Sequence, residues 1–125
     1  MATILVIDDD HFFTELVSLH LLLAGHTVQV ARDPEEGLRA IIDSAPDLIL
    51  LDLNLPYMSG FEVLEALRSD PATREIPVIM LTAHKDEESY GRCEKIGIDG
   101  FLTKPLQSDK LTEGIAAALA ARAQK

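Results

Sequence analysis

Stretches with the length and composition of β-strands alternate with stretches of helical periodicity five times along this 125-residue chain. Three of the strand-like stretches are continuous apolar runs, which is typical of parallel strands that helices cover on both faces. Short connections between the stretches favour right-handed crossovers within one sheet. The alternation therefore predicts an α/β fold, a doubly wound sheet of five parallel strands, formed by a single domain over residues 1–125.

The predicted strands are Thr3–Ile7, Thr27–Ala31, the run Leu48–Leu51, Pro77–Thr82 and Gly100–Pro105. The second of these alternates apolar and polar residues, as an edge strand does. In the first helix, Phe12, Leu16, Leu19 and Leu23 fall on one face. The fourth helix, Lys85–Gly97, is predicted to be weaker because it has few apolar residues.

Residues that favour helix starts stand before three of the predicted helices. Asp10 is the predicted N-cap of the first helix and Asp33 that of the second, where Pro34 takes the first helical position. Ser59 begins a capping box with Glu62 at the third helix. These signals place the helix starts directly after the strand ends.

Composition and charge exclude several classes of protein. Hydrophobic residues make up 47% of the chain, but no apolar run approaches the roughly 20 residues of a membrane helix. The amino terminus lacks the basic region of a signal peptide. The formal charge of −10 disfavours direct binding to nucleic acid, which needs Lys and Arg. We therefore expect a cytoplasmic protein that binds neither a membrane nor, directly, nucleic acid.

Polar side chains follow the strands at the points where the strands end. The residues are Asp8, Asp9 and Asp10 after the first strand, Asp52 and Asn54 after the third, Thr82, Ala83 and His84 after the fourth, and Lys104 with Pro105 after the fifth. The carboxyl ends of parallel strands meet at one edge of a sheet, where ligands bind. Crowded carboxylates need a cation, and oxygen ligands suit Mg²⁺. The pattern predicts a phosphoryl group held between a metal and a lysine, with a carboxylate as the attacking group.

A flavin-binding protein of the flavodoxin type is an alternative with the same kind of sheet. Its phosphate would need a loop of backbone N–H groups and small hydroxyl side chains after the first strand. Here that loop reads DDDHFF, residues 8–13, and its three carboxylates would repel a phosphate that arrives without a metal. A flavin is therefore disfavoured.

Four motifs together resemble the receiver domain of two-component response regulators. They are ILVIDDD, DLILLDLNLPYMSGFEVL, PVIMLTA and GFLTKPL, which occur in this order at four strand ends. Each motif alone is common, whereas all four at this spacing are specific. The resemblance covers essentially the whole chain and implies the flavodoxin-like, CheY-like (βα)5 fold with strand order 2-1-3-4-5.

The resemblance also implies roles for individual residues at this edge. Asp52 is the expected phosphoacceptor, and Mg²⁺ is expected to bind Asp9, Asp52 and the backbone carbonyl of Asn54. Asp8 is expected to act on the metal through bound water. Lys104 is expected to pair with Asp52 and then with the phosphoryl oxygens.

The resemblance implies that a second group of residues responds to phosphorylation or sets the lifetime of the phosphorylated state. Thr82 would hydrogen-bond the phosphoryl group, and Phe101 would be the switch aromatic, in a place where tyrosine is commoner. Asn54 and His84 occupy the two positions that tune the lifetime of the acyl phosphate. The Lys104–Pro105 peptide bond is expected to be cis.

The predicted function is a phosphorylation switch, and the resemblance implies its partners. A sensor histidine kinase or a histidine phosphotransfer protein would supply the phosphoryl group. A downstream protein would bind the face formed by the fourth helix, the fifth strand and the fifth helix. The protein would be no enzyme beyond promoting its own phosphorylation and dephosphorylation, and it would be either a stand-alone receiver or a fragment of a larger regulator.

Two functions of other classes stay open. A Mg²⁺-dependent phosphatase or phosphotransferase could use the same aspartyl chemistry on small molecules, but it usually needs a further domain to bind its substrate. A binding module that works without phosphorylation could keep the fold alone. The intact set Asp8, Asp9, Asp52, Thr82 and Lys104 argues against the binding module.

Overall fold

In the computed structural model, which describes residues 2–84 and 86–123, five strands and five helices alternate along the chain. The elements in chain order are β1 (Thr3–Ile7), α1 (His11–Leu23), β2 (Thr27–Ala31), α2 (Pro34–Asp43), β3 (Leu48–Asp52), α3 (Gly60–Ser69), β4 (Val78–Thr82), α4 (Glu87–Ile96), β5 (Gly100–Thr103) and α5 (Ser108–Ala123). Within the described ranges, no helix has both the length and the apolar character needed to cross a membrane.

The strands form one parallel sheet in the order β2-β1-β3-β4-β5. The predicted architecture and strand order are thus confirmed. β1 and β3 lie next to each other at the centre, and the chain leaves β1 toward β2 on one side and β3 toward β4 on the other. The carboxyl ends of β1 and β3 therefore flank the switch in strand order, the position at which such sheets bind ligands.

Alternate residues of the central strands face two separate cores. Ile4 and Val6 point toward α1 and α5, whereas Leu5 and Ile7 point toward α2, α3 and α4. All four side chains are fully buried, as are those of Leu48–Leu51 in β3. Burial on both faces explains why these strands are continuous apolar runs and fixes their ends firmly in the molecule.

The predicted caps begin three helices. The side chains of Asp10, Asp33 and Ser59 accept hydrogen bonds from the backbone N–H groups of Phe13, Glu36 and Glu62, respectively. Each cap satisfies an N–H group that has no partner inside its helix. The helices consequently start within a few residues of the strand ends and leave short loops at the edge where the site lies.

The apolar stripe of α1 does not face the core. Phe12, Leu16, Leu19 and Leu23 are between 50% and 78% exposed, whereas Thr14, Val17 and Leu21 are buried. The sequence of α1 carries apolar residues on nearly every face, so its periodicity does not select the face that packs. The sheet decides instead, since the buried face of α1 fits against Ile4 and Val6.

Several boundaries differ from the predicted ones. β3 extends one residue further, to Asp52, and α4 ends at Ile96 with Gly97 as its C-cap. β4 begins at Val78 rather than Pro77, and β5 ends at Thr103 rather than Pro105. Proline has no N–H group to donate to a sheet ladder, which accounts for both differences. The fourth helix begins at Glu87 with Asp86 as its N-cap, and Lys85, where it was predicted to begin, lies outside the described residues.

Candidate functional site

The register of the central strands places two carboxylates side by side. Ile7 of β1 pairs with Leu51 of β3, so the next residues, Asp8 and Asp52, lie opposite each other at the strand ends. Asp8 is fully buried and Asp52 is 5% exposed. Two buried carboxylates at adjacent positions repel each other, and a positive charge nearby is needed to offset this repulsion.

Lys104 supplies that positive charge. Its Nζ lies 2.7 Å from Oδ2 of Asp8 and 3.7 Å from Oδ2 of Asp52. The backbone N–H of Lys104 donates to the carbonyl of Thr82, which ties the loop after β5 to the end of β4. The peptide bond from Lys104 to Pro105 is cis. Lys104 was expected to pair with Asp52, and in this structure its shorter contact is with Asp8.

The environment of Asp52 makes its carboxyl group a weaker acid than an ordinary aspartate. Burial, followed by the charge of Asp8, raises the pKa of Asp52 from the ordinary value of 3.8 to about 6. The ammonium group of Lys104 and the N–H of Asn54 oppose this rise without cancelling it. Asp52 is consequently ionised at neutral pH, but its charge is poorly compensated.

Asp9 completes a group of three carboxylates. Oxygens of Asp8, Asp9 and Asp52 lie within 4.8 Å of one another, and Asp9 is exposed to solvent. The buried Oδ2 of Asp8 faces Nζ of Lys104 at 2.7 Å as an ion pair. Three converging carboxylates, one of them open to water, are hard oxygen donors that fit Mg²⁺, which keeps several of its waters.

Thr82 lies at the end of β4, the strand that neighbours β3. Its hydroxyl group donates to the carbonyl of His84 at 3.0 Å and accepts from the N–H of His84 at 3.2 Å. Thr82 is buried, while Ala83 and His84 are exposed. The hydroxyl group is thus engaged with its own loop and would have to exchange a hydrogen bond to reach a ligand at Asp52.

The loop after β3 is held close against the strand that carries Asp52. The N–H of Gly60 donates to the carbonyl of Leu53 at 2.8 Å. A Cβ atom at Gly60 would lie 2.5 Å from the carbonyl oxygen of Asp52, so only glycine fits there. Asn54 is exposed in this loop, and its N–H donates to Oδ1 of Asp52 at 3.3 Å. A shallow depression lies between this loop and Asp9.

Phe101 lies on β5, away from the carboxylates. It is partly buried against the core beneath α4, and its ring meets that of Tyr90 edge to face, with centroids 5.3 Å apart. Tyr90 belongs to α4, whose one buried residue among those described is Cys93. The aromatic pair therefore links α4 to β5.

The structure also places at the site a residue that the sequence did not indicate. Nζ of Lys104 lies over the ring of Phe13, 4.3 Å from the ring centroid. In the sequence, Phe13 is one apolar residue among many in α1, and nothing local marks it as a partner of a residue 91 positions later (104 − 13 = 91).

Comparison with protein families agrees with this geometry. The family model of the response regulator receiver domain matches residues 4–116. The chain belongs to the response regulator receiver domain family. Receiver domains are phosphoacceptor switches of two-component systems, they take phosphoryl groups from histidine kinases, and they bind Mg²⁺ at an acidic site; they are regulatory proteins.

Relatives of this receiver domain include longer regulators. The DNA-binding dual master transcriptional regulator RpaA of a Synechocystis strain is 41% identical over 119 residues, which are 95% of this chain and 49% of RpaA. The phosphate regulon transcriptional regulatory protein PhoB of Pseudomonas aeruginosa is 37% identical over 117 residues, which are 94% of this chain and 51% of PhoB. The chain thus spans about half the length of these curated relatives.

Solved structures of receiver domains have the same fold. Chemotaxis protein CheY4 of Vibrio cholerae superimposes with a TM-score of 0.89 at 31% identity, covering 94% of this chain and 98% of CheY4. A CheY-like receiver domain protein from Methanospirillum hungatei gives a TM-score of 0.91 at 28% identity, covering 99% of this chain and 98% of that protein. These neighbours match the strand order and the helix placement described above.

Proposed function

We propose that Asp52 is the phosphoacceptor of this receiver domain. The observation that carries the proposal is the position of Asp52, buried at the end of a central strand beside Asp8 and 3.7 Å from Nζ of Lys104. In the transfer, a carboxylate oxygen of Asp52 would form a bond to phosphorus. The bond between phosphorus and a histidine nitrogen of the donor would break, and the imidazole would leave with the electron pair. The donor would be a sensor histidine kinase or a histidine phosphotransfer protein.

Residues at the ends of β1 and β3 would hold Mg²⁺ beside Asp52. We assign Asp9, Asp52 and the backbone carbonyl of Asn54 as direct ligands and Asp8 as a ligand through water. The bound ion would neutralise charge on the carboxylates and on the phosphoryl oxygens. Asp8 and Asp9 support this assignment because their oxygens converge with those of Asp52 within 4.8 Å.

Lys104 and Thr82 would bind the phosphoryl group from the other side. Lys104 would release part of its contact with Asp8 and donate to a phosphoryl oxygen, which an ammonium group does well. Thr82 would exchange its hydrogen bond to the carbonyl of His84 for one to the same group. Asn54 and His84 would tune how long the acyl phosphate lasts. Both are exposed at the edge of the site, and neither is a carboxylate that could act as a strong base.

The receiver itself would promote the phosphorylation of Asp52 and the hydrolysis of the acyl phosphate. It would not act on phosphorylated small molecules. A small-molecule phosphatase would need a substrate pocket, and the depression beside Asp9 is shallow. In a binding module that works without phosphorylation, the repulsion between the buried carboxylates of Asp8 and Asp52 would serve no function. Direct binding of nucleic acid by this domain is not expected from its charge of −10, and that expectation stays a prediction.

The proposal is tested by intact mass after exposure to a small phosphodonor with Mg²⁺. The parent protein should gain one phosphoryl group, and Asp52→Asn should gain none because an amide oxygen is a poor nucleophile. Asp47→Asn is the matched control, since it alters an acid at the opposite end of β3. Full labelling of Asp52→Asn, or no labelling of the parent, would contradict the proposal.

The signal would leave through the face formed by α4, β5 and α5. Within the described residues, α4 buries only Cys93, and its Tyr90 meets Phe101 of β5 edge to face. Elements with few buried contacts open at low free energy, so a change in Phe101 would reach α4 readily. We expect amide exchange in residues 87–96 to change when the protein is loaded with a phosphoryl mimic and Mg²⁺. Equal exchange in both states would count against this face.

A further inference from the structure

The ammonium group of Lys104 is enclosed by three side chains. Nζ lies 2.7 Å from Asp8, 3.7 Å from Asp52 and 4.3 Å from the centroid of the Phe13 ring. The side chain of Lys104 is 18% exposed, so water has limited access to it. A lysine has a long, flexible stem, and one ion pair alone leaves such a stem mobile.

The ring of Phe13 is itself held in place. Phe13 is the third residue of α1, and its N–H donates to the capping carboxylate of Asp10 at 3.1 Å. The capped start of α1 therefore fixes the backbone that carries the ring. The face of an aromatic ring is electron-rich and attracts a cation, more strongly where water is excluded. An aliphatic side chain at this position would fill the space without that attraction.

We propose that Phe13 is a positioning residue, whose ring holds the ammonium group of Lys104 within reach of Asp52. The inference rests on the proposed role of Asp52 as phosphoacceptor. Asp8 holds the ammonium group from one direction and the ring from another. The ammonium group of Lys104 is thereby held 3.7 Å from Oδ2 of Asp52. The lysine side chain therefore loses little conformational freedom when it binds a phosphoryl group.

Three variants separate the ring from simple packing. Phe13→Leu removes the ring and keeps an apolar side chain, whereas Phe13→Tyr keeps the ring. Phe61→Leu is the matched control. The ring of Phe61, in α3, also has a cation over it, Arg92 at 4.1 Å, but Phe61 packs in the core on the opposite face of the sheet from Phe13. With a small phosphodonor and Mg²⁺, we expect Phe13→Leu to lower the phosphorylation rate constant about three- to tenfold. Phe13→Tyr should stay within about twofold of the parent, and Phe61→Leu should match it.

A second readout does not depend on phosphorylation. Protons above an aromatic ring resonate upfield, so the methylene protons next to Nζ of Lys104 should be shifted upfield in the parent and in Phe13→Tyr, but not in Phe13→Leu. The Lys104 signals are assigned by their loss in Lys104→Met. An unshifted Lys104 in the parent, or equal rate losses in Phe13→Leu and Phe13→Tyr, would overturn the inference. A parent that takes no phosphoryl group would contradict the role of Asp52, and the Lys104 resonance would then decide the position of the ammonium group.

Discussion

Replacement of Asp99 by alanine is expected to lower the free energy of unfolding by about 3 kcal/mol, the lower end of the loss for one partner of a buried ion pair, because this cluster is only partly buried. Oδ1 of Asp99 accepts from Nη2 of Arg68 and from the N–H of Val78, both at 3.0 Å. Nε of Arg122 donates to Oδ2 at 2.7 Å. The side chain of Asp99 is 11% exposed. Without it, two guanidinium groups would face each other and the N–H of Val78 would lose its partner.

The loss should be seen in urea unfolding followed by circular dichroism. Asp99→Asn keeps an acceptor for Val78 and should lose less than Asp99→Ala. Glu35→Ala is the control, because it breaks an exposed ion pair with Arg39 and should cost less than about 1 kcal/mol. A loss of the same size for Glu35→Ala and Asp99→Ala would contradict the prediction. Since the Asp99 cluster lies at the start of β4 and β5, opposite the carboxylates, phosphorylation should survive wherever the variant stays folded.

The fold could be predicted from the sequence because its signals are local. Buried parallel strands are continuous apolar runs, and caps such as Asp33 and Ser59 mark where helices start. The bounds of β1 and β2 came out as predicted. The convergence of Asp8, Asp9 and Asp52 followed from topology alone, because parallel strands end at one edge of their sheet.

Contacts between distant segments could not be predicted in this way. Arg68 and Asp99 are 31 residues apart, and Asp99 and Arg122 are 23 apart, with no local pattern that joins them. The contact of Phe13 with Lys104 is hidden for the same reason. Packing also overrode a local pattern in α1, where the stripe through Leu16 and Leu19 is exposed. The position of a side chain also depends on the balance of charges that come together only in the folded site. Lys104, for example, lies closer to Asp8 than to Asp52.

The same balance of charges leads to a second large effect, an increase in stability on replacing Asp52 by asparagine. In the folded protein the pKa of Asp52 is about 6, above its ordinary 3.8. A raised pKa of an acid means that ionisation weakens the fold. The penalty is absent below about pH 4, grows as the pH rises from 3.8 to about 6, and is complete above that. Because one pKa unit corresponds to about 1.4 kcal/mol, Asp52→Asn should be about 2–3 kcal/mol more stable than the parent at pH 7.5 without Mg²⁺.

The measurement is urea unfolding of the parent and Asp52→Asn across this pH range in the presence of a chelator. The gain in stability should shrink toward zero near pH 4. Asp43→Asn, which alters an exposed acid at the end of α2, should change stability by less than about 0.5 kcal/mol at every pH. A variant that is less stable than the parent at pH 7.5 would contradict the raised pKa.

Added Mg²⁺ should narrow this difference in stability, because an ion that binds the folded state adds stability that grows with its concentration. The parent should gain about 2.7 kcal/mol at a Mg²⁺ concentration 100 times the dissociation constant. Asp52→Asn should gain less, since one of its three carboxylates is lost, and the two proteins should converge in stability. If Mg²⁺ left the parent unchanged, the carboxylate group would not be a metal site. The repulsion between Asp8 and Asp52 would then lack a metal counter-ion, and a phosphoryl group on Asp52, which adds negative charge beside Asp8, would have to be neutralised by Lys104 alone.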